Sequence, residues 1–276
     1  MPKTPQSAES SRVLETLAKG LDVLNCIELG PESAMSLTEI ANRVGLYKSR
    51  VMRLCGTLVH MGYLVHDRNE KLYRLGPRLL SLGKAYERSN PAVLAVRPTL
   101  EALYEKLQMT ASFYVLRGMR RVCIARRGPE RTWDHTAEGE ERELHYGSTG
   151  KVFLAFGSQE LREKFFAQEE PYTKLTPFTM TTTRQVWEAV ENTREKGYAE
   201  SCEERSMGLA GFAAPVFRFD GELAGALSLA GDKKHFTEAS IPGQITLLTE
   251  AADYLSRLFG FEAQEEGRNA KGFRPC

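Results

Sequence analysis

Two sets of side chains in this sequence have types and spacing suited to chemistry. The first is a cluster of cations and a hydroxyl, Arg43, Lys48, Ser49, Arg50 and Arg53, in a stretch with no acid between Glu39 and Asp67. An arginine can donate two parallel bonds to guanine O6 and N7, while Lys and Ser hold phosphates. The chemistry on offer is recognition of double-stranded DNA, and Ser36, Thr38 and Arg68 complete the set assigned to it. The second set is Ser148-Thr149-Gly150, where a turn enters an apolar segment. Backbone amides at a helix start attract an anionic carboxylate, and short hydroxyls add donors. Ser201 and Ser228 are candidates to supply further hydroxyls.

Other chemistries lack their residues. Gly147-Ser-Thr-Gly-Lys151 has the look of a phosphate-binding loop, but His145 stands where its first glycine is needed and Val152 where Ser or Thr should hold magnesium. His60, His66, His135, His145 and His235 show no HExxH or paired spacing, so no metal site is expected. There is no GxSxG elbow. Cys202, beside Glu203 and Glu204, has no identifiable partner histidine, and Cys123 reads as a small buried residue in an apolar strand. Arg120-Arg121 and Arg126-Arg127 read as solvated hairpin ends, with acid binding the weaker alternative. No catalytic residue, metal or cofactor is expected, and the chain is not read as an enzyme.

The elements that must position the first set follow from periodicity. Val13, Leu17, Leu21, Leu24 and Ile27 recur at three or four residues and predict an amphipathic helix ending near Gly30-Pro31. Ser36-Leu37-Thr38-Glu39 has the form of a capping box, opening a helix that buries Leu37, Ile40, Ala41 and Val44 and turns at Gly45. A third helix from Tyr47 buries Val51, Leu54, Leu58 and Val59 or Met61, and leaves Lys48, Ser49, Arg50 and Arg53 mostly off that stripe. Residues 63–65 and 71–75 read as a β-hairpin with a charged tip. Three helices and a hairpin make a winged helix-turn-helix, whose second helix of the pair enters the major groove. The same face also suits the solvated surface of an ordinary helical bundle, and helix-turn-helix shapes also dock proteins.

Beyond the hairpin, Leu79, Leu80, Leu82 and Tyr86 fit a short helix broken by Ser89-Asn90-Pro91. Arg97-Pro98 is expected to open another helix, and 111–116 and 121–126 to pair as strands. Residues 128–143 read as a loop, 148–156 as an apolar helix and 185–196 as a charged one. Strands over 209–217 and 222–230 flank the turn dipeptide Asp220-Gly221, and a helix over 245–259 closes the chain. Helices flanking an antiparallel sheet give an α+β domain.

Bulk composition sets bounds. The 276 residues are 42% hydrophobic and 26% charged, which argues against global disorder and, with that length, for two domains. No apolar run is long enough to span a membrane, and 1–11 lacks the apolar core of a signal peptide. Five widely spaced cysteines with no CxxC imply a reducing cytoplasm rather than a disulfide framework. The net charge of +1 hides an asymmetry: residues 1–90 hold 13 Lys+Arg against 9 Asp+Glu, while the remainder is acidic.

The residues from Leu37 through Val51-Met-Arg-Leu54, then Thr57-Leu-Val-His-Met-Gly-Tyr-Leu64 and Tyr73-Arg-Leu-Gly-Pro-Arg-Leu-Leu-Ser-Leu-Gly83, resemble the N-terminal half of IclR-family transcriptional regulators. The resemblance continues in Gly147-Ser-Thr-Gly-Lys-Val-Phe-Leu-Ala-Phe156, Arg194-Glu-Lys-Gly-Tyr-Ala199, Gly208 to Phe217 and Leu223 to Gly231. It implies a winged helix-turn-helix domain over 12–76, a linker helix over 77–90 and a GAF-like effector domain over 91–262, with flexible tails at 1–11 and 263–276. It also implies a small organic-acid effector, a dimer through the DNA-binding halves and a tetramer through the effector halves. By resemblance the pocket draws on Ser148, Thr149, the 201–204 stretch, Gly211, Ser228 and Ala230, and Gly150 joins them from the helix-start argument. Arg50 and Met52 depart from the Thr and the His or Tyr common in the family, so the operator does not carry over. Gly211 and Ala230 replace a frequent Cys and Ser, which implies a larger or more apolar ligand end. One reading helix per chain calls for two half-sites, hence a homodimer on a near-palindromic operator. The competing assignment is a GAF-like sensor or enzyme whose helical front end binds protein.

Overall fold

Helix α1 (Glu15–Glu28) buries Val23, Leu24, Cys26 and Ile27, all in its second half. The expected stripe is therefore only half right: Val13, Leu17 and Leu21 are 63%, 62% and 51% exposed. The apolar period continues past the part of the helix that the first domain's core can reach. Ser36 caps α2 (Leu37–Val44) with both bonds of a capping box, and Gly45 ends it in the left-handed region. Helix α3 (Lys48–His60) buries Val51 and Cys55, with Leu54, Leu58 and Val59 partly covered and Met61 exposed. Cys55, absent from the expected stripe, lies one turn after Val51.

The wing is a three-stranded antiparallel sheet in the order β1-β3-β2, made by β1 (Ala34–Ser36), β2 (Leu64–Asp67) and β3 (Leu72–Leu75). Strand β1 has no counterpart in the sequence expectation, since three residues carry no measurable period. Gly76 follows directly. A Cβ there would strike the Gly62 carbonyl, so main chain meets main chain where the wing hands over to α4 (Pro77–Ser89). Pro77 occupies the first turn of α4, which buries none of its residues.

The structure is a computed structural model that describes residues 13–28, 34–129 and 137–262. The expected stop at Gly30-Pro31 and the expected tails at 1–11 and 263–276 lie outside the described residues. The chain divides into two compact units between Asn90 and Pro91. Among the described residues no helix is long and apolar enough to cross a membrane.

The second unit is built on a six-stranded antiparallel sheet in the order β6-β5-β4-β9-β8-β7. Its strands are β4 (Thr110–Arg117), β5 (Arg120–Arg127), β6 (Glu141–Glu143), β7 (Ala199–Cys202), β8 (Leu209–Phe217) and β9 (Leu223–Asp232). Helices α5 (Pro91–Leu107) and α9 (Ile241–Leu258) cover one face around Phe113, Leu227, Leu229 and Leu248. Helices α6 (Ser148–Phe156), α7 (Gln159–Phe166) and α8 (Thr183–Lys196) cover the other around Tyr114, Phe153 and Val190. Two expectations are corrected here. Helix α5 starts at Pro91, not at Pro98, which is interior; burial of Val93 and Val96 outweighs the hydrogen bond the ring removes. The segment expected to be all loop contains β6, paired to β5.

Candidate nucleic-acid interface and small-molecule cavity

In α3, Val51 and Cys55 define the inward side, so Ser49 and Arg53 fall opposite it and are exposed. Lys48 is exposed in the first turn, and Thr38 and Arg43 are exposed on α2. Ser36 is half-buried, with its hydroxyl already accepting from the Glu39 amide. Arg50 lies on the flank toward α1, where its Nη2 pairs with Glu15 at 3.0 Å. Both partners are exposed, so this pair is weak. Arg68 sits exposed at the wing tip, in a turn shaped by Asp67, whose carboxylate accepts from the Asn69 and Glu70 amides. Those two bonds hold the Asp67 carboxyl below its ordinary range.

The cavity lies where the N-terminal end of α6 meets the sheet. Ser148, Thr149, Ser201, Gly211, Ser228 and Ala230 all line it. Gly150 does not. It is buried beneath the Arg121 guanidinium, where a Cβ would strike Nη1. Ser228 is buried and its hydroxyl donates to the Ser112 carbonyl at 3.4 Å. Gly211 is forced by packing, since a side chain there meets the Leu229 carbonyl of β9.

The lining also holds Arg121, for which acid binding was the weaker alternative, and Arg142, Arg205, Tyr114 and Tyr146, which the sequence reading missed. Arg121 was expected at a solvated hairpin end but is only 2% exposed. The available signal was the period of two: Arg121 shares a face with Cys123, which was read as buried, while Val122 turns to the opposite core. Gly211 and Ala230 line the same cavity as Leu209 and Ala210.

A buried ion pair fixes the floor. Lys151 Nζ donates to the Glu204 carboxylate and to the Glu200 carbonyl, and Glu204 Oε2 accepts from the Gly147 amide at 2.7 Å. Lys151 is thus committed to protein partners, which disposes of the phosphate-loop resemblance. Thr176 and Thr179 hydroxyls each donate at 2.6 Å, to the Glu203 and Glu204 carbonyls, and hold this loop in place. His145, just before the helix, bonds the Thr173 carbonyl at 2.8 Å and stacks on Tyr172. Burial pushes its imidazole below the usual histidine value, against the Thr173 carbonyl and the Glu143 carboxylate, which favour the charged ring.

Comparison with known proteins connects these two sites. The model described as the IclR helix-turn-helix domain matches residues 16–68, and that described as the C-terminal domain of the bacterial transcriptional regulator IclR matches 85–257. The HTH-type transcriptional regulator BhcR of Paracoccus denitrificans is 30% identical over 260 residues, spanning 94% of this chain and 91% of BhcR. The crystal structure of an IclR transcriptional regulator from Alicyclobacillus acidocaldarius superposes with a TM-score of 0.79 at 24% identity, over 89% of this chain and 98% of that one. An IclR homologue from Microbacterium hydrocarbonoxydans, crystallised with 4-hydroxybenzoate, has a TM-score of 0.72 at 22% identity, over 88% and 98%. At that identity the two structures speak for the fold. The matches to both domain models, in chain order, together with the full-length relative, speak for descent, and the chain belongs to the IclR family of transcriptional regulators.

Proposed function

We propose that this transcriptional regulator binds a near-palindromic operator as a homodimer and changes its hold on DNA when a small organic acid enters the cavity at the start of α6. The observation that carries the DNA half is the outward face of α3. Ser49 and Arg53 stand opposite its buried side, in a stretch without a single acid. In this reading Arg53 contacts base edges, while Thr38, Arg43, Lys48 and Arg68 hold phosphates.

The dimer half is supported by the exposed aliphatic surface of α1 and of Leu14, which precedes it. Leu14, Leu17 and Leu21 are all more than half exposed. The first two line a groove with Leu54 and Leu58 of α3. The occupant proposed for it is the same surface of a second chain, which an isologous contact requires. The cavity half is supported by the convergence of Ser148, Thr149, Ser201 and Ser228 at a helix start. A ligand regulates only if it binds the DNA-competent and DNA-incompetent arrangements differently. Helix α4, which follows the wing, is the proposed transmitter.

The test is a binding titration of the full-length protein on DNA upstream of its own gene at several salt concentrations. Sequence-selective binding that weakens steeply with salt is expected. No selective binding at any salt would return the protein-docking assignment.

A further inference from the structure

Arg121 is a buried cation with no ion pair among the described residues. Arg121 begins the buried part of β5, and its guanidinium lies against the first turn of α6. Two glycines make that approach possible: a Cβ at Gly147 would come within 3.0 Å of Nη2, and one at Gly150 would strike Nη1. Nη1 donates to the Glu143 carbonyl, and the guanidinium carbon stands 5.0 Å from the Tyr146 ring centre. Nε is buried and has no hydrogen-bond partner, and Arg121 is among the residues lining the cavity.

The electrostatics of this corner are one-sided. The first-turn amides of a helix have no acceptor within the helix, and that end carries the positive pole of its dipole. Arg121 therefore places a full positive charge beside a partial one. Glu204, the carboxylate whose field reaches Arg121, is already occupied by Lys151 and by the Gly147 amide. Arg142 answers Glu140 at 2.9 Å. Among the described residues no Asp or Glu lines the cavity. Burial lowers the Arg121 guanidinium to about 10, which still leaves it charged at neutral pH. A buried charge with an open donor edge costs stability unless a counter-ion arrives.

We propose that Arg121 is the residue that reads the effector's acid group: Nε and the first-turn amides at Ser148 and Thr149 together take one ionised carboxylate. The proposal rests on the reading of this cavity as the effector site. The ligand class is a small organic acid, bound as its anion, and the amide of the same acid is rejected because it leaves the guanidinium uncompensated. The glycines at 147 and 150 then serve to let the cation approach the helix end.

Thermal unfolding of the full-length protein tests this with matched pairs: acetate, pyruvate, succinate and 4-hydroxybenzoate, each against its amide at equal ionic strength. At least one acid should raise the Tm where its amide does not. Arg121→Met should weaken that acid about ten-fold or more, the value of a charge-assisted bond. It should also melt at or above the parent without ligand, since it removes an unneutralised charge. Arg121→Gln, which keeps a donor for the Glu143 carbonyl, answers the same question if the Met variant does not fold. An acid that stabilises parent and variant equally overturns the proposal, as does a panel in which no acid exceeds its amide. If Arg121→Met loses the acid response while operator binding of the parent ignores the acid, the anion site stands and the effector reading falls. If Arg121→Met keeps the response and Ser228→Leu loses it, the cavity reading stands and the role of Arg121 falls.

Discussion

Arg53 and Ser228 carry the two most separable residue-scale expectations. Arg53 projects from α3 away from the core, so nothing packed depends on it. Arg53→Ala should lower operator affinity by roughly 10- to 100-fold, the worth of a bidentate base contact, and leave the Tm within measurement error. Titration by fluorescence anisotropy beside a thermal melt checks both; an unchanged affinity would move base reading to another side chain. Ser228 is buried on the cavity face of β9, opposite Ala213 of β8. Ser228→Leu should fill the cavity and abolish the response to effector while operator affinity stays at the parent value. His145 gives a pH signature. Burial depresses its folded-state pKa, so the folded chain binds fewer protons than the unfolded one, and stability declines as pH falls below the usual histidine value. His145→Gln should flatten the loss of Tm between pH 7 and pH 5, and melts across that range would show it. At this scale the hydroxyls of the cavity were legible because Ser148 and Thr149 sit at a readable helix start. Arg121 was not, because a charged residue near a hairpin end reads as solvated until its strand partner Arg142, the Glu143 carbonyl and the glycines at 147 and 150 are seen to cover it.

Among the elements, α1 and the wing junction make distinct demands. The outward leucines of α1 contribute nothing to the core of their own domain. Leu17→Glu with Leu21→Glu should therefore leave the fold intact, shift sedimentation from dimer to monomer, and cost operator affinity through the lost half-site. A double variant that still sediments as a dimer would place the interface elsewhere. Gly76 is the opposite case. A methyl group there has only the Gly62 main chain to push against, so Gly76→Ala should destabilise the first domain by on the order of 1–3 kcal/mol, measured by chemical denaturation. Elements with caps were readable: Ser36 and Glu39 announce α2, and Gly45 ends it. The three-residue strands β1 and β6 were not, because pairing to β3 and β5 alone defines them. Pro98 misled about the start of α5 because a local rule about helix entry gave way to the packing of Val93 and Val96, and α7 went unnoticed between two more regular helices.

For the whole molecule, the charge division governs association. The net charge of +1 would give little attraction to DNA, yet residues 1–90 carry the positive excess and the cation face of α3 lies within it. Binding should thus depend on salt like that of a basic protein. Removing Arg43, Lys48 or Arg68 should each reduce the slope of log affinity against log salt by about one per half-site. A slope indifferent to all three would sever the wing and α2 from the phosphate backbone. The meeting of Gly62 and Gly76 has a bearing beyond stability. Gly76 leaves no room for a side chain, whereas Ser49 and Arg53 face open solvent. A lineage can therefore change which sequence is recognised one position at a time at Ser49 and Arg53, while Gly76 holds the joint between wing and α4 to a single residue type.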